Sequence, residues 1–462
     1  MCGIVGSIGG AIEAGIKALA HRGPDAQGMV RLGDIRLGHT RLAILDPDPR
    51  SNQPFCYRDV HLVFNGEIWN FREIRTELQA RGHRFQTSGD TEVVAAALAA
   101  WGTEALPRLN GMFALAWAID GDRLYLARDR FGEVPLHLAK QRPFFFASEL
   151  KALLALGTDP RSFADVPPGH WVEISERGMS QGCYYDAPLH LCPDDREAAS
   201  QKVYDLLRCG AEERAVADVP VCTLLSGGID SAAVAFFLSR AVPSLVAYTA
   251  ALDPKAHDLR CARLVAEALG IELRVVPIRP PSAEDLGRVV RYIEMPHKAQ
   301  VEIGWACLQL AERMRADGFK VTFSGEGSDE LWASYGFAYH GLQKQDWHRY
   351  RKALFLSQAR KNFVRCNKVF LAYGVECRLP FLHAPLVEYA LSLTQRAVQN
   401  GRSQPKAVLQ VAFQGKLPDP ITRRPKVAFQ DGLGLKAAIA ARLADPQRFY
   451  AAEFANFLRG IP

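Results

Sequence analysis

The chain has 462 residues, 48% apolar and 23% charged, with 37 glycines and 27 prolines; this suggests two to four domains and excludes collagen-like, coiled-coil and disordered classes. Its 56 basic and 50 acidic residues leave a net charge of +6, too small over this length to argue for a nucleic-acid partner, and the densest basic stretch, Arg423-Arg424-Pro425-Lys426, is too short to track phosphates. No apolar run approaches the roughly 18 residues of a membrane span, and the Met-Cys-Gly-Ile-Val-Gly start has no basic region leading an apolar one, so the expectation is a cytoplasmic chain with no membrane partner.

The first 180 or so residues read as short strands broken by Gly, Asn and Asp turns: Ile4–Ile8, Arg36–Leu45, His61–Phe64, Leu124–Ala127 and Phe144–Ala147. Two helical patterns interrupt them. Phe71–Ala80 places Phe71, Ile74 and Leu78 on one face and stops at Gly82; Thr91–Trp101 is opened by Asp90 in an N-cap position. Strands in runs with helices in pairs predict a layered α+β sandwich over 2–185. After a linker around 180–200 the rhythm changes to a helix (Glu197–Arg214), strand (Val221–Leu225), helix (Asp230–Arg240), strand (Ser244–Ala251), helix (Asp258–Leu269) and strand (Glu272–Pro277). Helices at Glu284–Tyr292 and Ile303–Ala316, a strand at Lys320–Ser324 and a mostly helical remainder complete a second domain, 196–462. Such alternation predicts an α/β doubly wound parallel sheet covered on both faces, with ligands at the C-terminal ends of its strands.

Ten cysteines are scattered without a CxxC pair or a Cys/His group at metal spacing, which argues against zinc or a disulfide framework. Cys2 differs from the rest. If Met1 is removed, its thiol lies beside a free α-amine that titrates near 7.7–8 and can act as the built-in base of a nucleophile. Downstream, Arg41 is suited to clamping a carboxylate, Asn65-Gly66-Glu67 offers the donor pair of an oxyanion hole, and Ser88-Gly89-Asp90 ends in a carboxylate for an ammonium group. Together they describe a pocket for a zwitterionic amino acid whose side-chain carbonyl faces a thiolate.

Cys2-Gly3-Ile4-Val5-Gly6, His21-Arg22-Gly23-Pro24-Asp25, Asn65-Gly66-Glu67 and Ser88-Gly89-Asp90 resemble the class II glutamine amidotransferase domain, whose N-terminal Cys attacks the glutamine amide and releases ammonia. Matched residue by residue, the resemblance implies Cys2 as nucleophile and Asn65 with Gly66 as oxyanion hole. It implies glutamine held by Arg41, Ile44, Asn65, Gly66, Glu67 and Asp90. It also requires removal of Met1, since a retained methionine blocks the amine.

Leu224-Leu225-Ser226-Gly227-Gly228-Ile229-Asp230-Ser231 runs from an apolar strand into a helix, a geometry that presents backbone N–H groups and a helix N-terminus to phosphate. No Gly-Lys-Ser/Thr follows, so this is not a Walker loop. About a hundred residues on, Ser324-Gly325-Glu326-Gly327-Ser328-Asp329-Glu330 carries three carboxylates after a second strand. Acidic groups facing a phosphate loop need a cation between them, and oxygen donors with phosphates suit Mg²⁺; Asp230 and Asp329 are its expected ligands, with Glu326 placed to act on the acceptor or on ammonia.

These two motifs, and the domain order, resemble the ATP-pyrophosphatase domain of glutamine-dependent asparagine synthetase over nearly the whole chain. The resemblance implies ATP bound by Leu224, Ser226, Gly227, Gly228, Asp230, Ser231, Ala250, Ser324 and Gly325. Val375-Glu376-Cys377-Arg378-Leu379-Pro380-Phe381-Leu382 is similar to a further family segment, and Arg424-Pro425-Lys426 with the residues after it to the family's lysine loop, making Lys426 a catalytic candidate. The implied chemistry is glutamine hydrolysis at Cys2, formation of an acyl-adenylate and pyrophosphate at the second site, and displacement of AMP by ammonia that has crossed a dry internal passage. The family also implies a homodimer, though no sequence feature marks an interface.

Three segments depart from the family pattern: Met295–Trp305; Leu331-Trp332-Ala333-Ser334-Tyr335, where a Gly-Gly pair before the Tyr is usual; and His383 in place of Asp. They point to a small carboxylate other than aspartate as acceptor, in a specialised biosynthetic pathway, with asparagine formation as the alternative. A lactam-forming cyclase is disfavoured by the intact Cys2 pocket, a tRNA-modifying enzyme by the weak charge, and an inactive scaffold by the completeness of the glutamine-pocket and phosphate-loop motifs.

Overall fold

The computed structural model describes residues 1–119, 121–175, 178–335, 346–401, 404–425 and 429–460. Two six-stranded antiparallel sheets build the N-terminal part. One runs Phe163–Asp165, His137–Ala139, Phe144–Ala147, Gly3–Ile8, Ile35–Arg41, Ala26–Leu32 across its width. The other runs Gly178–Cys183, His170–Ser175, Arg123–Arg128, Gly111–Ile119, Val60–Ile68, Phe55–Tyr57.

Alternation along the strands explains the layering. Ile4, Val63, Ala114 and Ala116 fill the space between the sheets, while their neighbours face outward. Phe64, Phe113, Leu115 and Trp117 pack under the helices Phe71–Ala80 and Thr91–Trp101, and Val5 and Ala147 under Glu13–Ala18 and Leu150–Ala155. Strands covered on both faces need apolar residues at successive positions, which is why Gly111–Ile119 reads as a continuous apolar run.

The second part carries parallel strands in the order Glu272–Pro277, Val246–Ala251, Cys222–Leu224, then Val321–Phe323 and Glu376–Arg378. A single parallel bridge, Val221 to Val321, joins the two groups. Helices Ile229–Ala241, His257–Leu269 and Lys298–Ala316 connect and cover them, followed by a helical C-terminal part that ends with Pro446–Leu458. Among the described residues no helix is long and apolar enough to cross a membrane.

Local differences from the sequence reading have physical causes. The strand expected over 36–45 stops at Arg41, whose guanidinium donates to the carbonyl oxygens of Asp46 and Asp48 and so bends the chain back on itself. Asp90 does precede its helix, yet its side chain does not cap it; Oδ2 accepts the Ile68 N–H at 2.9 Å instead. The helix expected from Ile303 begins at Lys298, which brings Ala299, Gln300 and Ile303 onto one cavity wall. The three-residue strand Glu376–Arg378 falls in a stretch read as helical; it extends the parallel sheet beside Val321–Phe323.

Candidate active sites

Cys2 precedes Gly3–Ile8, a central strand of the first sheet, and is buried. Its N–H donates to Asn65 Oδ1 at 2.8 Å, and its thiol lies 3.9 Å from the Leu42 carbonyl oxygen. The Cys2 carbonyl accepts from Arg22 Nε at 2.8 Å; Arg22, itself fully buried, pairs with Glu149 at 2.6 Å and donates to Asn367 Oδ1 at 2.9 Å. Burial pushes the Cys2 thiol up, and the nearby N-terminal charge opposes it.

Asn65, Gly66 and Glu67 follow one another on Val60–Ile68. With its oxygen engaged by Cys2, Asn65 has its Nδ2 in a long 3.4 Å contact with Ser148 Oγ. Gly66 has φ +155, and a Cβ there would sit 2.1 Å from the Met112 carbonyl oxygen, so no side chain fits. Glu67 Oε1 lies 3.5 Å from Arg378 Nη2, while Oε2 is buried with no hydrogen-bond partner. Burial, and then Glu376, push Glu67 well above the usual carboxylate range; burial also raises Asp90 to about 6. Cys2, Asn65, Gly66, Glu67 and Asp90 therefore share one buried locus.

Arg41 and Ile44 both have contacts within the chain. The Arg41 fork is occupied by its own loop, donating to Asn52 Oδ1 at 2.8 Å, the Asp48 oxygen at 2.9 Å and the Asp46 oxygen at 2.5 Å. Ile44 is buried, and its carbonyl accepts the Asp218 N–H of the second domain at 3.1 Å. Met1 is also buried: its ammonium pairs with Glu376, and its sulfur accepts from Asn367 Nδ2 at 2.9 Å.

The second site is a cavity of about 770 Å³ at the C-terminal ends of the parallel strands. Leu224, Ser226, Asp230, Ser231, Ala250, Ser324, Gly325, Glu326 and Asp329 all line it. Ser226 and Ser231 fasten the turn, with their hydroxyl oxygens 3.0 Å apart and Ser231 Oγ accepting the Ser226 N–H at 3.1 Å. Gly227 has φ +75, and a Cβ there would meet the Asp258 carbonyl oxygen at 2.5 Å. Gly228 is the N-cap residue of Ile229–Ala241, so the helix N-terminus opens onto the turn.

Asp230 Oδ2 and Asp329 Oδ1 converge on Lys406 Nζ, each at 2.5 Å, and Ser328 Oγ donates to Asp230 Oδ1 at 2.7 Å. Two hard oxygen donors already sharing a cation fit a Mg²⁺ ion that takes its remaining ligands from phosphates and water. Glu326 pairs with Arg365, which also donates to Gln300 Oε1 at 2.7 Å. Lys426 lies outside the described residues; on either side of it, Arg424 donates to the Gly227 carbonyl at 3.0 Å and Pro425 and Phe429 line the cavity. Of the three departing segments, residues 295–305 and 331–335 reach the cavity, whereas His383 pairs with Glu213 at 3.2 Å away from it.

Lys406 and Arg365 escaped the sequence reading. Neither belongs to a motif, and only the fold brings each to carboxylates 39 or more positions away. A further basic group lies beside the amidotransferase locus. Arg378, with no exposure, donates to Glu376 at 2.6 Å and to the Arg214 and Val216 carbonyls at 2.5 and 2.6 Å, and lies 5.0 Å from the Trp69 ring.

The glutamine amidotransferase domain family matches residues 1–165, and the asparagine synthase family matches residues 202–364 and 343–454. Asparagine synthetase (glutamine-hydrolyzing) 2 of Oryza sativa subsp. japonica is 32% identical, over 94% of this chain and 78% of its own. Asparagine synthetase B (glutamine-hydrolyzing) of Escherichia coli (strain K12) is 29% identical, over 93% of this chain and 82% of its own. Among solved structures, the allosteric regulatory enzyme of purine biosynthesis is 19% identical with a TM-score of 0.38, covering 59% of this chain and 80% of that one.

Proposed function

The chain belongs to the asparagine synthase family, and from that premise we propose that it transfers glutamine nitrogen to a small carboxylate other than aspartate. The coarse reaction is that of a glutamine-hydrolysing, ATP-dependent amide ligase that yields AMP and pyrophosphate. In the proposed glutaminase step, loss of Met1 frees the Cys2 amine, which takes the thiol proton as sulfur attacks the amide carbon. Asn65 Nδ2 and the Gly66 N–H stabilise the oxyanion, Glu67 and Asp90 hold the substrate ammonium, and the amine returns its proton to departing ammonia. Water then releases glutamate from the thioester.

In the second site the acceptor carboxylate attacks the α-phosphorus of ATP; the acyl–O–P bond forms as the bond to pyrophosphate breaks. Gly227, Gly228 and the helix N-terminus receive phosphate oxygens, and Lys406 faces the same charge from across the turn. When bound by Asp230 and Asp329, Mg²⁺ supplies charge neutralisation to the departing pyrophosphate. Glu326, oriented by Arg365, takes a proton from ammonia as nitrogen attacks the acyl carbon and AMP leaves. Lys426 is the remaining candidate for the charge that develops on the α-phosphate.

The observation that carries the acceptor reading is the 333–334 pair. Ala333 occupies a left-handed backbone position, φ +50, and Ser334 lines the cavity with its hydroxyl donating to Asp329 Oδ1 at 2.5 Å. A pair of glycines would leave this rim open; here the Ser334 hydroxyl occupies it beside a proposed metal carboxylate, with Ala333 buried behind. The test is pyrophosphate release across a panel of carboxylic acids with MgATP and amide-¹⁵N glutamine, the product being identified by mass. Labelled amide should appear with an acid other than aspartate; asparagine as the best product at ordinary turnover would refute the proposal.

A further inference from the structure

The phosphate turn is held from outside by a side chain that the proposed reaction does not use. Gly227 sits directly on the first turn of the helix His257–Leu269: a Cβ there would meet the Asp258 carbonyl oxygen, Cys261 Cβ and the Ala262 nitrogen at 2.5, 2.7 and 2.8 Å. The Asp258 carboxylate, near the N-terminus of that helix, is stabilised there in its charged form. Its Oδ1 pairs with Arg424, and a Cβ on Gly432 would overlap its Oδ2. Both ends of the segment 424–432 are therefore set against one carboxylate.

Arg424 divides its fork between two acceptors. Nη2 pairs with Asp258, and Nη1 donates to the Gly227 carbonyl oxygen at 3.0 Å. In a trans peptide the carbonyl and the following N–H point in opposite directions, so a fixed Gly227 carbonyl also fixes the Gly228 N–H. The partner of that N–H among the described residues is Ser226 Oγ, a cavity-wall atom at a long 3.5 Å, which leaves the N–H able to donate to a phosphate oxygen. Gly227, at φ +75 and without a side chain, does little to hold this peptide plane by itself. The restraint comes from Arg424.

We propose that Arg424 is a positioning residue of the nucleotide site: tied to Asp258, it locks the Gly227–Gly228 peptide in the orientation that offers its N–H to phosphate. This rests on the reading of the cavity as the nucleotide site. A guanidinium suits the task because its rigid fork serves two acceptors at fixed angles, which a lysine ammonium on a flexible stem does not. Direct charge attraction is the rival role, since Arg424 and Lys406 both line a recess of about 90 Å³ beside the turn.

The experiment measures binding of MgATP, and of adenosine, which lacks the phosphates, to the full chain by titration calorimetry. Arg424→Met should weaken MgATP at least about tenfold, the loss of about one hydrogen bond to a charged group, and leave adenosine within about twofold. Arg424→Lys keeps the charge but not the fork and should still weaken MgATP at least about fivefold. Asp258→Ala keeps the arginine but unties it and should weaken MgATP at least about threefold. Wild-type affinity in Arg424→Lys would mean that charge alone acts and would overturn the inference. So would an Asp258→Ala protein that binds MgATP as tightly as the wild type or more tightly. Adenosine weakened as much as MgATP overturns it as well, because a general collapse of the segment that carries Pro425 and Phe429 to the cavity wall moves both ligands. Wild-type protein that takes up neither ligand would remove the nucleotide reading and this inference with it; asparagine as the best product would sink the acceptor proposal and leave this one standing.

Discussion

Replacing Lys406 with methionine separates the two half-reactions. Its ammonium is nearly enclosed, with 4% side-chain exposure, and holds Asp230 and Asp329 at 2.5 Å each. Hydrogen bonds to charged groups contribute about 1.5–3 kcal/mol each. In the proposed loaded site the same ammonium faces phosphate, so losing one such contact in the transition state should lower kcat/KM for ATP by about 10- to 150-fold. Hydrolysis of glutamine to glutamate at Cys2 should stay within about twofold, because no Lys406 contact reaches that locus. The metal response runs the other way. Without the ammonium the two carboxylates repel each other, so the Mg²⁺ concentration for half-maximal pyrophosphate release should fall. Lys406→Arg keeps the charge and should recover part of the loss. The assay is pyrophosphate release at varied ATP and Mg²⁺ beside glutamate formation; wild-type kcat/KM for ATP, or a metal requirement shifted upward, would refute the reasoning.

The glutaminase locus should report Asp90 through pH. Burial lifts this acid from 3.8 to about 6, and only its ionised form can hold an ammonium, so kcat/KM for glutamine should lose about a further tenfold per unit below about 6, beyond the fall that protonation of the Cys2 amine near 7.7–8 imposes. Asp90→Asn should give a lower profile without the limb near 6; the same raised value means that folding loses stability as pH climbs from about 4 to about 6, which urea titrations of the two proteins would show. Gly66→Ala places a Cβ 2.1 Å from the Met112 oxygen and should cost glutaminase about a hundredfold, while amide formation from added ammonium chloride stays near wild type. Ala333→Gly relieves a left-handed alanine and should raise the urea midpoint by up to about 1 kcal/mol of stability; a lower midpoint would contradict the strain.

Much of this architecture was legible because its signals are local. Phe71–Ala80 and Thr91–Trp101 match their patterns end to end, since each is an amphipathic or apolar helix bounded by recognisable stops. The phosphate turn is likewise a contiguous string, in which Gly227 is forced by close approach to the Asp258 carbonyl oxygen. What stayed hidden is long-range. Nothing near Arg41 announces that its fork will be spent on the 45–52 loop, and Glu376–Arg378 becomes a strand only because Val321–Phe323 lies alongside to pair with it. His383 shows the converse error: it departs from a motif, yet the fold sends it to Glu213, where it has no bearing on the acceptor.

That short strand also explains how two chemistries can share one interior. Successive residues of a strand point to opposite sides, and Glu376 and Arg378 both turn toward the amidotransferase, meeting the Met1 ammonium and Glu67. Cys377, between them, turns away and meets the Cys366 thiol on the cavity wall. All three are buried, so neither side can shift without displacing the other in a close-packed interior. Removal of Met1 deletes the ammonium that pairs with Glu376, leaving Arg378 as its remaining charged partner at 2.6 Å. Glu376 thus stands beside the amidotransferase locus on a strand whose middle residue, Cys377, packs against Cys366 of the synthetase cavity wall. Physical contact between the half-reactions therefore runs through three consecutive residues, and their alternation assigns one face to each site.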